Sequence, residues 1–69
     1  MRADAGYVTA FDDARGLGTV TGDDGAEHPF HCTAILDGSR TIDVGARVTF
    51  DLRPGRMGRY EAASITPSS

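Results

Sequence analysis

Turn-forming residues interrupt this chain so often that no long helix fits between them. Asp12-Asp13, Gly22-Asp23-Asp24-Gly25, Asp37-Gly38-Ser39-Arg40, Asp43-Val44-Gly45 and Pro54-Gly55-Arg56-Met57-Gly58 all carry residues that tolerate positive φ or bond their own backbone. The intervals between them are short and hold β-branched and aromatic residues, so they read as strands. Gly6–Phe11 is the first and Leu17–Thr21 the second, and Asp24-Gly25 turns the chain into a third, Glu27–Cys32. Thr33-Ala34-Ile35-Leu36 then leads into residues 37–40, a long loop or a short helical turn. Ala46–Leu52 alternates, with Val48, Phe50 and Leu52 on one face and Arg47, Thr49 and Asp51 on the other, the period of a half-buried strand. Tyr60–Ile65 is the last strand, and Thr66-Pro67-Ser68-Ser69 a frayed tail. Val8, Val20, Phe30, Ile35, Ile42, Val48, Phe50 and Ile65 suffice for one small core. Five such strands predict a closed or nearly closed antiparallel barrel, an arrangement that manages exposed sheet edges.

Size and charge narrow the function. Sixty-nine residues make a single domain, read as 1–69 with an ordered core of about 5–66. A chain this short buries only about 60% of its extended surface, so its stability is expected to be marginal. One cysteine, Cys32, excludes an internal disulfide framework and a zinc site built from cysteines. No apolar run approaches 18 residues, and MRADAGY lacks the apolar segment of a secretory signal, so a soluble protein of the cytoplasm is expected. Net charge is −3, and all seven basic residues are arginine. Residues 1–37 carry two arginines against seven carboxylates, whereas residues 38–69 carry five against three. Overall acidity argues against strong unspecific binding to duplex DNA, where phosphate neutralisation supplies most of the affinity, but leaves room for a basic rim on one face.

The order of these pieces resembles the bacterial cold-shock proteins from about Gly6 to Ile65. In that family a strand reading Gly-x-Val-Lys-Trp-Phe-Asn precedes Lys-Gly-Phe-Gly-Phe-Ile. Here Gly6, Val8, Thr9, Ala10, Phe11 and Asp12 are followed by Arg15-Gly16-Leu17-Gly18-Thr19-Val20. Asp24-Gly25 matches the family hairpin, and His28-Pro29-Phe30-His31-Cys32-Thr33-Ala34-Ile35 looks like its Val-Phe-Val-His-x-Ser-Ala-Ile, one residue nearer the hairpin glycine than is common. Gly38 to Phe50, and the Gly-rich loop and closing strand from Gly55 to Ile65, resemble the remaining blocks. The resemblance implies an all-β, five-stranded OB-fold barrel that binds single-stranded RNA or DNA. Outward rings on the second and third strands would stack on unpaired bases while basic residues at the rim meet phosphates.

Most of those rings are missing. Leu17 and Thr19 stand where the family has two phenylalanines, Ala10 at its tryptophan, Pro29 at the third-strand phenylalanine and Cys32 at the ring after the histidine; Ser39 holds a position that is often aromatic. Each stacked base is worth roughly 1–3 kcal/mol, so losing two contacts costs roughly 2–6 kcal/mol. Binding is therefore expected to be weak and of low sequence preference. The candidate face centres on Phe11, Leu17, Thr19 and His31. Arg15, at the family's lysine, and Arg56, in the Gly-rich loop, are candidate phosphate contacts, and Tyr60 a replacement ring beside that loop. Each has a plainer reading as well: core packing for Phe11, surface exposure for His31 and the arginines, strand-edge packing for Tyr60. The rival function is a protein-interaction or homodimerisation module built on the same smoother face.

The His28-Pro29-Phe30-His31-Cys32 cluster invites a metal reading, but His28 and His31 lie three apart and point to opposite faces of a strand. No metal or other cofactor is expected, and Cys32 reads as a small buried hydrophobe. The carboxylates cluster in turns, where aspartate is favoured for backbone reasons, and no nucleophile has an evident base, so an enzyme is not expected.

Overall fold

A computed structural model describes residues 4–36, 41–55 and 60–67. Five strands form one antiparallel sheet: β1 (Asp4–Asp12), β2 (Leu17–Gly22), β3 (Glu27–His31), β4 (Arg47–Pro54) and β5 (Tyr60–Pro67). Their order across the sheet is β3-β2-β1-β4-β5, so the two hairpins flank β1. The sheet is rolled until its outer strands face each other: Ile35 makes a parallel bridge to Ile65, Leu36 N–H donates to the Ile65 carbonyl at 2.9 Å, and the His28 ring reaches the Tyr60 carbonyl at 3.4 Å. This is the OB-type arrangement that the turn spacing and the family resemblance predicted.

Two irregularities curl the sheet. The β1–β2 register shifts between Val8 and Ala10, and the β4–β5 register between Thr49 and Asp51. Extra residues at such bulges bend a strand and increase its twist. β1 pairs with β2 over Gly6–Asp12 and with β4 over Asp4–Tyr7, and the Val8 backbone bonds Gly45 and Ala46 just before β4. The pairing of Asp4 with Phe50 and Ala5 with Thr49 explains why β1 begins at Asp4, before the expected Gly6.

Val8, Val20, Phe30, Ile35, Val48, Phe50, Ala62 and Ile65 are buried together, with Phe11, Ala34, Ile42 and Ala46 packed against them. Seven of these eight were expected from the pattern of apolar residues. Ile42 is only partly buried, and Ala62 takes a full core position. Leu52 follows Val48 and Phe50 in alternation but is 36% exposed: beyond the β4–β5 register shift it pairs with the buried Ala62 and lines an open cleft with Asp4, His28 and Phe50. β3 ends at His31 rather than Cys32. The His31 side chain accepts the Thr33 N–H and caps a single 3-10 turn, Cys32–Ala34, which diverts the chain before another strand residue is added. Cys32 is half-buried there rather than fully enclosed.

Glycine governs the packing between the rings. Gly18 pairs with Phe11 on one side and Phe30 on the other, so the three residues form one row across the sheet. A Cβ on Gly18 would lie 2.5 Å from the Phe30 ring and 2.8 Å from the Ala10 carbonyl oxygen. With no side chain between them, the rings of Phe11 and Phe30 stack at 5.9 Å with 13° between their planes. Ser64 is the reverse case, a non-glycine residue at φ 52° in the left-handed region.

Three substitutions test these assignments. Gly18→Ala should lower stability by about 1–3 kcal/mol through overpacking against Phe30, read as a fall in thermal midpoint. Ser64→Gly should raise the midpoint and Ser64→Val lower it, since a left-handed backbone costs non-glycine residues roughly 1–2 kcal/mol. Equal midpoints for all three variants and the parent would refute both accounts.

Candidate nucleic-acid interface

The outer face of β1, β2 and β3 is set by pairing register. Asp12, Leu17 and His31 form one row across the three strands, and Ala10, Thr19 and Pro29 the next. Residues of the neighbouring rows, Phe30 and Val20 among them, turn inward to the core. Leu17 is 42% exposed and His31 is also open to solvent. The structure thus brings Leu17, Thr19 and His31 together as the sequence suggested. Phe11 is placed differently: half-buried, in the inward row with Gly18, and packed on Phe30 beneath this face. Parity explains the separation, because Phe11 pairs with Gly18 whereas Leu17 and Thr19 point the other way.

His31 is held rather than loose. Its Nδ1 accepts the Thr33 N–H at 3.3 Å and lies 3.0 Å from the Thr33 hydroxyl. A neutral ring whose Nδ1 accepts carries its proton on Nε2, so the outward edge is a hydrogen-bond donor. The Cys32 sulfur sits 3.8 Å from the same nitrogen and packs close to Gly16. Next to this end of the face lies the turn bearing Arg15. Asp12 Oδ1 accepts the N–H groups of Ala14 and Arg15, at 3.1 and 3.3 Å, and the Asp12 carbonyl accepts from Gly16 at 2.8 Å. Gly16, at φ 66°, completes the reversal, and its carbonyl accepts the Cys32 N–H at 2.8 Å, tying the turn to the end of β3. The exposed Arg15 is thereby carried beside Leu17 and His31.

Tyr60 arrives from the far edge of the sheet. Its ring is 55% exposed, and its carbonyl meets His28 Nδ1 across the gap between β3 and β5. Thr19, Glu27, His28, Pro29 and Tyr60 line an open groove of about 380 Å³ there. Sequence reading named Thr19 and Tyr60 but missed Glu27, His28 and Pro29 as their neighbours. The alternation of Glu27 with Pro29 was visible in the chain; the approach of β5 was not. Arg56, the other expected phosphate contact, lies outside the described residues, as does Ser39.

His28 and His31 occupy opposite faces of β3. His28 is tilted against Phe50 at a ring separation of 5.9 Å, inside the barrel mouth. Among the described residues no three metal-binding side chains converge. The aspartates serve the backbone: Asp24 Oδ1 accepts the Ala26 N–H at 3.0 Å, as Asp12 does in its own turn. Asp23 is engaged otherwise, receiving Arg47 Nη1 at 2.7 Å and Nη2 at 3.3 Å. That hydrogen bond holds the Asp23 carboxyl below its ordinary value of 3.8; slight desolvation opposes the shift and the guanidinium charge adds to it. Arg47, raised by the same bond, is committed to Asp23.

Against this geometry the comparisons with known proteins are consistent. Residues 4–68 match the model of the 'Cold-shock' DNA-binding domain. The chain belongs to the cold-shock domain family. It is 38% identical to cold shock protein 2 of Lactiplantibacillus plantarum over 63 residues, covering 90% of this chain and 94% of that one. It is 44% identical over 55 residues to the cold shock-like protein CspA of Stigmatella aurantiaca, covering 77% and 81%. The solved structure of Drosophila Unr CSD456 superposes with a TM-score of 0.82 at 26% identity, covering 99% of this chain and 27% of that one. Among the described residues no helix is long and apolar enough to cross a membrane. The cold-shock domain here therefore keeps its frame while its outer face carries Ala10, Leu17, Thr19 and Pro29 where rings are usual in the family.

The Asp23–Arg47 pair has a predictable pH signature. A depressed folded-state pKa adds stability above the ordinary carboxylate range, and that stability is lost as pH falls through the lowered value. Asp23→Asn should slightly lower the thermal midpoint at pH 7 in low salt, as befits an exposed pair. The difference from the parent should shrink as pH falls below the ordinary carboxylate value of 3.8 and in 1 M salt, where screening reaches within about 3 Å. Midpoints that differ equally at pH 7 and pH 2.5 would exclude the ion pair as the cause.

Proposed function

We propose that this cold-shock domain binds single-stranded RNA or DNA, weakly and with low overall sequence preference. The observation carrying the reading is the continuous outer surface on which Leu17, Thr19 and the anchored ring of His31 lie together, with Arg15 at one end and the Tyr60 ring at the other. His31 and Tyr60 each offer a π-face to a base. Leu17 and Thr19 supply apolar contact and a hydroxyl without a π-face. Phe11 supports this surface from beneath through Phe30 and contributes its exposed part at most. Arg15 meets phosphate, joined in sequence by Arg56.

The family supports the same reading, since its model is described as DNA-binding. Binding rather than catalysis is the reading favoured by the site. Its aspartates are spent on turns and on Arg47, and the groove is open. An intracellular, cytoplasmic setting agrees with the cold-shock relatives.

Titration of a fluorescent heptauridylate at low salt should give saturable binding in the high-micromolar range. His31→Ala should weaken it by about 1–3 kcal/mol, the worth of one stacked base. The affinity should fall gently with salt, with a slope of about −0.7 per phosphate contacted, and Arg15→Ala should remove about one such contact. Failure to bind at millimolar protein, or a stable dimer by light scattering that buries Leu17 and His31, would favour the protein-interaction module instead.

A further inference from the structure

Resting on the proposed binding of single strands, we infer that the groove between β3 and β5 selects guanine over the other bases. Thr19 pairs with Pro29, and Thr21 with Glu27, so Pro29 and Glu27 project from the same side of β3, two residues apart. Tyr60 opens β5 directly across the gap, and the contact from His28 Nδ1 to its carbonyl holds that backbone against β3. The result is a groove of about 380 Å³, at the lower end of the range for small-ligand pockets, bounded by a tyrosine ring, a proline ring and one carboxylate.

These walls specify the occupant. Tyr60 and Pro29 present flat or smooth apolar surface suited to the face of a base. The ionised carboxylate of Glu27 accepts hydrogen bonds only, so the edge it meets must donate. Guanine presents two adjacent donors, N1–H and the N2 amino group, which match the two oxygens of a carboxylate. Uracil and thymine present a single N3–H between two carbonyl oxygens, which a carboxylate repels. Adenine and cytosine each offer an amino group beside an unprotonated ring nitrogen, leaving one carboxylate oxygen facing an acceptor. Only guanine satisfies both oxygens, and charge-assisted pairs of this kind are the stronger ones.

The position along the strand follows as well. Glu27 and His31 are four residues apart on β3, roughly 13 Å in extended chain. A nucleic-acid strand that lays one base on His31 carries another base to the groove. The negative charge of Glu27 keeps phosphate out, so that base enters edge first with its backbone toward solvent.

The test compares heptanucleotides of uridine with the same strand carrying one central guanosine, adenosine or cytidine, by fluorescence anisotropy. The guanosine strand should bind about tenfold tighter, the usual scale of a bidentate base contact, and Glu27→Ala should abolish that advantage while leaving uridine binding unchanged or stronger. A second readout exploits the absence of tryptophan and the presence of just two tyrosines, Tyr7 and Tyr60. In a Tyr7→Phe background, emission from Tyr60 should be quenched by the guanosine strand, and more strongly than by heptauridylate. Equal affinity for all four strands, an undiminished guanosine advantage in Glu27→Ala, or unquenched Tyr60 emission would overturn the inference while leaving single-strand binding intact. Binding of none of the strands would remove both readings.

Discussion

The contact on which this domain depends is the stacking of Phe11 on Phe30 over the bare backbone of Gly18. It joins β1 to β3 across the intervening β2, fills the interior at the level where the sheet curls, and does so only because the residue between the rings has no side chain. The same three positions set which side of each strand faces out. With Gly18 inward, Leu17 and Thr19 must face solvent; with Phe30 inward, so must Pro29 and His31. The packing of the core and the composition of the outer surface are thus a single decision about register.

That coupling explains what has changed in this cold-shock domain and what has not. Substitutions on the outer rows leave the inner rows intact, so a ring can become leucine, threonine or alanine without opening the core. His31 and Tyr60, two of the rings left on the outer surface, are tied to backbone contacts, whereas Tyr7, 40% exposed in the row with Thr21 and Glu27, is a third. Thr33 fixes His31, and the seam contact with His28 fixes the backbone that carries Tyr60. A surface with few stacking side chains gains most from those that are already oriented, because less side-chain freedom is lost on binding. The charge distribution follows a similar economy. Arg47 is committed to Asp23, whereas Arg15 is delivered to the interface by a turn that Asp12 builds from its own carboxylate.

Much of the fold was legible in the chain. Alternation at Val48 and Phe50, the Asp24-Gly25 hairpin and the β-branched runs locate the strands and most of the core, because those signals depend on neighbours two to four residues away. Leu52 shows where local reading stops. It obeys the alternation, yet nothing in the local pattern tells that it will line an open cleft with Asp4 and His28. Phe11 shows the same limit from the other side. An aromatic residue beside a strand end reads as an exposed ring until the pairing with Gly18 shows which way it turns. By local pattern Cys32 continues the strand, but the bond from Thr33 N–H to the His31 ring makes it the first residue of a 3-10 turn.

By itself, the order of residues determined that this chain forms short antiparallel strands around one small core, that it belongs among cold-shock domains, and that its outer surface lacks most stacking rings. The strands and core follow from period and turn chemistry, which act over a few residues; the family and the missing rings follow from the resemblance of its ordered motifs. Only the tertiary structure decided that Phe11 lies beneath that surface and that Tyr60 comes to stand beside Glu27 and Pro29. Those placements arise from bulges that curl the sheet and from the meeting of its first and last edges, contacts between residues more than thirty positions apart. Such a closure depends on the sum of twist over five strands, and no local stretch of sequence carries that sum.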